Sequence, residues 1–352
     1  MTPAATDPAT WIDHSWLITG TGVLFCIAGS THTTSAVAGC AYYLRDNVAA
    51  DISSRLGLAP ARSDRGLTYA GATYRKLPDL ASATGWPALH AGLHRHGITA
   101  LPWSLLAAVD PNRAVAHLDP RDAARQAIQP PLHRHQCGHT VFRRLLADLD
   151  RPGNGGGVLG LTGSAALDPA RLCTAPDLDL LTYPDLDLTA LTDAIHASGG
   201  RYLADLPPDD RRLSAYTASR FLPASPRAAE ARARLWSRRH DVAWIGNLRL
   251  DLTPVPDHAQ TADRLPYTAA DLGPITTTLT LDMASPGYPA QLTGRTRNGD
   301  RLAVLVTARG YDSVLRRGDR IHLAGRLHAH PGEAPFASVD DHPGHHLHLE
   351  PP

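Results

Sequence analysis

The residues best placed to do chemistry are two aspartates, Asp177 and Asp179, in the run Asp177-Leu178-Asp179-Leu180-Leu181. In an extended strand successive side chains alternate faces, so both carboxylates point one way while Leu178 and Leu180 point into a core. Two neighbouring carboxylates repel unless a cation sits between them. Hard oxygen ligands at that spacing suit magnesium, which keeps several waters and takes its remaining ligands from substrate phosphates. Upstream, the apolar run Val158-Leu159-Gly160-Leu161 has strand character and gives way to the small residues Gly163 and Ser164. Backbone N–H groups at a turn entering a helix bind anions, and a glycine lets phosphate come close. One short stretch thus carries both a metal function and a phosphate function.

A strand, Gly-Ser, a spacer and then Asp-apolar-Asp resembles the motif of the polymerase-β-type nucleotidyltransferases. The resemblance implies that Gly163 and Ser164 hold a triphosphate, that Asp177 and Asp179 hold two Mg2+ ions, and that a third carboxylate comes from a neighbouring strand. The thirteen-residue step from Ser164 to Asp177 is slightly longer than that family's usual spacing. For the third acid, Leu248-Arg249-Leu250-Asp251-Leu252 puts its leucines on one face and Arg249 and Asp251 on the other. Asp251 is therefore the candidate; the alternative is that it pairs with an arginine. Arg220, Arg238 and Arg239 are candidate phosphate contacts, because guanidinium binds phosphate bidentately. A second acidic pair, Asp185 and Asp187, leads directly into Leu188–Ile195, whose apolar residues recur at helical spacing, and reads as helix-start chemistry.

A narrower group within that superfamily, predicted archaeal nucleotidyltransferases of unknown acceptor, is similar to this chain further upstream. The matching pieces are Ile27-Ala28-Gly29-Ser30-Thr31-His32, Ala41-Tyr42-Tyr43-Leu44-Arg45 and Tyr74-Arg75-Lys76-Leu77. That likeness implies an acceptor pocket lined by His32, Arg45, Arg75 and Lys76; the alternative is that these are surface or capping residues.

The elements that must position these groups fall into three parts. Residues 16–128 read as a small α+β domain, with a strand pair in Trp16–Ser30 around Gly20-Thr21-Gly22 and further strands at Ala36–Arg45 and Leu67–Leu77. Residues 129–258 form the nucleotidyltransferase core, with helices at Asp187–Ser198, Arg211–Leu222 and Arg227–Arg239. Residues 259–332 form a C-terminal β domain, its alternating strands at Ile275–Leu281, Arg301–Thr307 and Arg320–His328 resembling those of small OB-like barrels. The first fifteen residues read as a loose tail, and 333–352, rich in His and Pro, as disordered. The fold class expected is α+β, a mixed sheet with helices flanked by these two domains.

Composition narrows the function. The 352 residues carry 34 basic and 34 acidic side chains, so no global field draws the chain to nucleic acid or membrane. Lys76 is the sole lysine, which excludes a Walker-type phosphate loop and leaves one residue for any lysyl intermediate. The run His133-Arg134-His135-Gln136-Cys137-Gly138-His139 holds zinc-type ligands, but no second ligand pair accompanies it. The four cysteines show no close paired spacing, no signal peptide is evident, and the longest apolar stretch, Trp16–Gly29, is too short to span a bilayer. These features fit a cytoplasmic protein. The expectation is a Mg-dependent enzyme moving an NMP from an NTP to a hydroxyl-bearing small-molecule acceptor; the alternative is a non-catalytic NTP- or RNA-binding relative.

Overall fold

Alternating or continuous apolar runs separated by Gly-containing turns build three sheets, and helices cover two of them. In the computed structural model the described residues are 11–29, 32–57, 66–77, 86–101, 104, 106–127, 138–149, 159–207, 209–213, 216, 238–255, 268–285, 287–307, 311, 314–340 and 344–350. The architecture is α+β.

The first sheet contains β1 (Trp16–Thr19), β2 (Val23–Ile27), β3 (Val37–Arg45), β4 (Leu67–Tyr69), β5 (Ala72–Lys76), β6 (Ile98–Ala100), β7 (Ala107–Val109) and β8 (Ala114–Leu118). Its main path is β4-β5-β3-β2-β1-β8, with β7 also on β3 and β6 on β7. One half of β3 takes β7 and the other takes β5. The register between β2 and β3 slips from Leu24↔Tyr43 to Phe25↔Ala41, so Tyr42 is an extra, bulged residue. The expected single strand over Leu67–Leu77 is a hairpin instead, turning at Ala70 and Gly71, both with positive φ.

One face of this sheet, with Leu17, Val23, Phe25 and Leu44, packs on α1 (Asp46–Arg55) and α2 (Trp86–His94). The other face, with Trp16, Leu24, Tyr43 and Tyr74, shares one core with the second sheet and with α3 (Pro120–Ala127) and α4 (Gly138–Leu149). A continuous core therefore crosses the expected boundary between residues 128 and 129.

The second sheet runs β11-β12-β13-β10-β9, from β9 (Gly160–Leu161), β10 (Asp177–Thr182), β11 (Arg201–Tyr202), β12 (Val242–Ile245) and β13 (Leu248–Pro254). β10 and β13 are parallel neighbours; the other pairings are antiparallel. Leu178, Leu180, Leu250 and Leu252 enter the shared core beside α5 (Gly163–Leu167) and α6 (Leu188–Ala197). Asp187 caps α6, accepting from the backbone of Thr189 and Ala190, as its place before the helical run predicts.

The third sheet is a closed ring. β14 (Ala270–Ser285) pairs with β15 (Ala290–Thr296), β15 with β16 (Arg301–Val306), β16 with β18 (Phe336–Val339), β18 with β17 (Arg320–Ala329), and β17 with β14 again. Only β16 and β18 are parallel. β14 serves both β15 and β17 by bending where its register shifts, near Asp271–Gly273 and Leu281–Met283. Leu279, Leu292, Val304, Ile321, Leu323 and Val339 fill the interior. β19 (His346–Leu349) pairs with Ile321–Ala324 of β17, on the edge that β18 takes at Arg326–His328. β18 and β19 both lie in the stretch expected to be disordered: Ala337, Val339 and Leu347 bury themselves in the barrel, and that burial outweighs the polar composition around them. The expected loose tail likewise ends early, because Trp11 and Asp13 are buried. The Asp13 carboxylate accepts from the Gly29 and Tyr288 amides, at 2.9 and 3.3 Å, tying the first sheet to the barrel. Among the described residues no helix is long and apolar enough to cross a membrane.

Candidate active site

The site is built at the β9–α5 turn and the neighbouring ends of β10 and β13. β9 ends at Leu161 and α5 begins at Gly163, so the small pair lies at a strand-to-helix turn as expected. Thr162 anchors the turn: its amide donates to the Asp179 carbonyl at 2.9 Å and its hydroxyl to the His14 carbonyl at 2.8 Å. Gly163 has φ +66, the left-handed region that favours glycine. A Cβ built there would stand 2.8 Å from Asp179 Cγ and closer still to its Oδ2. Glycine is thus required twice, for the turn and for backbone approach to the aspartate. Ser164 follows in α5, its carbonyl accepting from the Asp168 amide at 3.0 Å.

Asp179 and Asp251 are direct register partners on parallel β10 and β13, strands whose backbones run about 4.8 Å apart. Asp177, two residues earlier on β10, shares the Asp179 face and is the partner of Arg249. The structure therefore brings Asp177, Asp179, Asp251 and Gly163 to one place. It also puts a cation there. Arg249 donates to Asp177 Oδ2, and to Asp251 Oδ2 from Nε at 3.2 Å and Nη2 at 2.9 Å. Burial works against its charge, but the Asp251 and Asp177 carboxylates more than offset this and hold its ionisation above the usual arginine value. The arginine pairing weighed for Asp251 is therefore present. Among the described residues no three His, Cys, Asp or Glu side chains are grouped as an ion site.

The first sheet supplies the facing wall. Tyr43 of β3 is buried, and burial, the neighbouring Tyr42 and the charge of Asp179 all push its hydroxyl ionisation upward, while Arg171 opposes them. Lys76 Nζ stands 5.0 Å from the centre of the Tyr42 ring, a cation–π contact. Arg75 pairs with Asp46 at 2.8 Å, Arg45 is exposed, and His32 is half-buried.

Of the three predicted phosphate arginines, the two among the described residues, Arg238 and Arg239, pair with carboxylates. Arg238 donates to both carboxylate oxygens of Asp319, beside the barrel, at 2.9 and 2.8 Å. Arg239 is buried and pairs with Asp241 at 2.9 and 2.6 Å. Arg220 lies outside the described residues, as do most of the two helices expected over 211–239 and the segment 133–137 of the histidine-rich run. Arg249, Tyr42, Tyr43 and Arg171 are the residues that sequence reasoning did not place in the site. The signal for Arg249 was its shared face with Asp251.

No protein-family model matches this chain, and no curated protein matches it.

Proposed function

We propose that this protein is a Mg-dependent nucleotidyltransferase that moves an NMP from an NTP to a hydroxyl of a small-molecule acceptor and releases pyrophosphate. The observation that carries the proposal is the Asp179–Asp251 pairing across parallel strands, with Asp177 on the same face and Gly163 pressed against the Asp179 carboxylate. Donor chemistry suits the implied ions: Asp177, Asp179 and Asp251 offer hard oxygen ligands on two adjacent strands. Asp177, Asp179 and Asp251 would hold Mg2+, which when bound neutralises phosphate charge and makes a hydroxyl easier to deprotonate.

The chain's own residues contribute positioning and charge. In the proposed reaction the acceptor oxygen forms its bond to the α-phosphorus as the bond to the bridging oxygen breaks, and the hydroxyl proton passes to a carboxylate, with Asp251 the candidate. Gly163 leaves room for phosphate beside the Asp179 carboxylate, and Ser164 opens the following helix. Arg249 balances the acids when no other cation is present, which keeps the strand ends from repelling. Catalysis of this kind rests mainly on orientation and charge neutralisation.

The closed order β14-β15-β16-β18-β17, with its single parallel pair, supports reading the third sheet as an OB-like barrel, and the parallel β10–β13 pair that carries Asp179 and Asp251 supports reading the second as a nucleotidyltransferase-like core. A cytoplasmic location belongs to the same proposal. One observation favours a second reading: Arg249 already pairs with Asp177 and Asp251, as in a non-catalytic NTP- or RNA-binding relative whose acids are internally neutralised. Incubation with each α-labelled NTP, Mg2+ and a metabolite extract separates the two. Label appearing in a new compound with equimolar pyrophosphate supports transfer; NTP retention without turnover supports the second reading.

A further inference from the structure

Most cations near the acid pair are committed to carboxylates. Arg249 holds Asp177 and Asp251, Arg75 holds Asp46, and Arg239 holds Asp241. Lys76 and Arg171 differ, since among the described residues neither has a carboxylate partner. Arg171 donates one N–H to the Gly66 carbonyl, and Lys76 contacts the Tyr42 ring.

Topology brings both to the same wall. Lys76 and Tyr43 are register partners on antiparallel β5 and β3, so their side chains leave the sheet on one side. That side is turned toward the β9–α5 turn, because Thr162 joins the His14 carbonyl, two residues before Trp16, to the Asp179 carbonyl. Gly66 stands one residue before Leu67, the partner of Tyr74, so Arg171 is anchored beside the Arg75–Lys76 end of β5. The bulge at Tyr42 sets that ring against Tyr43, 5.3 Å between centroids, and Trp16 meets both. The Tyr43 hydroxyl lies within the electrostatic reach of Asp179, Arg171 and Asp177, which places these charges in one neighbourhood.

We infer that Lys76 and Arg171 form a phosphate-binding subsite on the Tyr42–Tyr43 wall, opposite Asp177 and Asp179. A compact ammonium and a planar guanidinium fork together suit a phosphate, and the aromatic rings beside them reduce competition from water. That the bound group belongs to a substrate rests on the nucleotidyltransferase reading; that an anion binds does not. The phosphate comes either from the nucleotide's own polyphosphate or from a phosphorylated acceptor.

The single lysine makes the test direct. Limited acylation with an amine-reactive ester labels Lys76 and the terminal amine, which peptide mass spectrometry separates. It is run without Mg2+, with inorganic pyrophosphate in one arm and glycerol 3-phosphate in the other. At ten times its Kd the bound anion leaves about one-tenth of the sites free and slows labelling of Lys76 about tenfold. Pyrophosphate protection assigns the subsite to the nucleotide, and phosphomonoester protection to the acceptor. Protection persists, equal or stronger, in Asp177→Asn and Asp179→Asn, so failure of the metal reading leaves this result intact. Arg171→Gln raises the half-protecting concentration about tenfold. By calorimetry Lys76→Arg keeps anion binding and Lys76→Gln loses it, which decides the matter should Arg171→Gln not fold. Labelling unchanged by either anion, or Lys76→Gln binding as wild type does, overturns the proposal.

Discussion

Replacing Gly163 with alanine tests the geometry at its tightest point. The residue has φ +66, and an L-residue in that region costs about 1–2 kcal/mol. The added methyl would stand 2.8 Å from Asp179 Cγ and 3.1 Å from its Cβ, inside normal contact distance, so the aspartate must leave its rotamer. That displacement adds about 0.5–1.5 kcal/mol. Gly163→Ala is therefore expected to lose roughly 2–3 kcal/mol of stability, a large single-site effect for a partly exposed glycine. Urea denaturation followed by circular dichroism measures it. Because the methyl moves the carboxylate proposed to hold metal, transfer should fall by about 100-fold, the usual result of misplacing a reacting group by about 1 Å. A variant with wild-type stability and wild-type turnover would refute the reasoning, since neither the left-handed turn nor the Asp179 contact would then matter.

Three further outcomes follow from the same contacts. Arg249→Met leaves the acids without their cation; at 21 % side-chain exposure for Arg249 the cost is discounted below that of a fully buried pair, to about 2 kcal/mol. Mg2+ should restore part of it in a thermal melt, and no recovery would speak against a cation site. Arg238→Ala breaks the half-buried pair with Asp319 and should cost about 1 kcal/mol, while KM for NTP stays constant; a tenfold rise would return Arg238 to the phosphate role expected from sequence. His328 is buried in the barrel wall, where it bonds Ser338 at 2.9 Å and stacks on Phe336. Burial depresses its ionisation below the ordinary histidine value. Its neutral form is the folded one, so this contribution is complete above about pH 6.5 and is lost as pH falls below that value. Denaturation at about pH 7 and pH 5 should show the loss, with a flatter profile for His328→Gln; identical profiles would count against it.

Local periodicity made much of the site legible. Alternation in β10 and β13 put Asp177, Asp179 and Asp251 on polar faces, and of the acidic pair before α6 Asp187 caps the helix as expected while Asp185 lies against Arg121. The partnering of β10 with β13 was not legible, because residues 72 apart in sequence pair through a shared core rather than a local signal. The same limit hid the Arg238–Asp319 contact, which joins residues 81 apart. At Ala70–Gly71 the lone glycine is a weak turn signal between flanking residues that on both sides favour strands. In the C-terminal stretch the alternation His346-Leu347-His348-Leu349 marks β19, yet its histidines and nearby prolines read as a polar tail. The Tyr42 bulge leaves no mark in composition: it appears only when β2 and β3 are laid in register.

The central claim is that the three aspartates hold a metal–nucleotide complex. Mn2+ substituted for Mg2+ and followed by electron paramagnetic resonance, with a non-hydrolysable NTP present, tests it most directly. The account predicts two Mn2+ ions per chain in the presence of nucleotide, weakened at least tenfold by Asp179→Asn and by Asp251→Asn while both variants stay folded. Nucleotide that binds equally well without Mn2+, or Mn2+ binding unchanged in both variants, would contradict it.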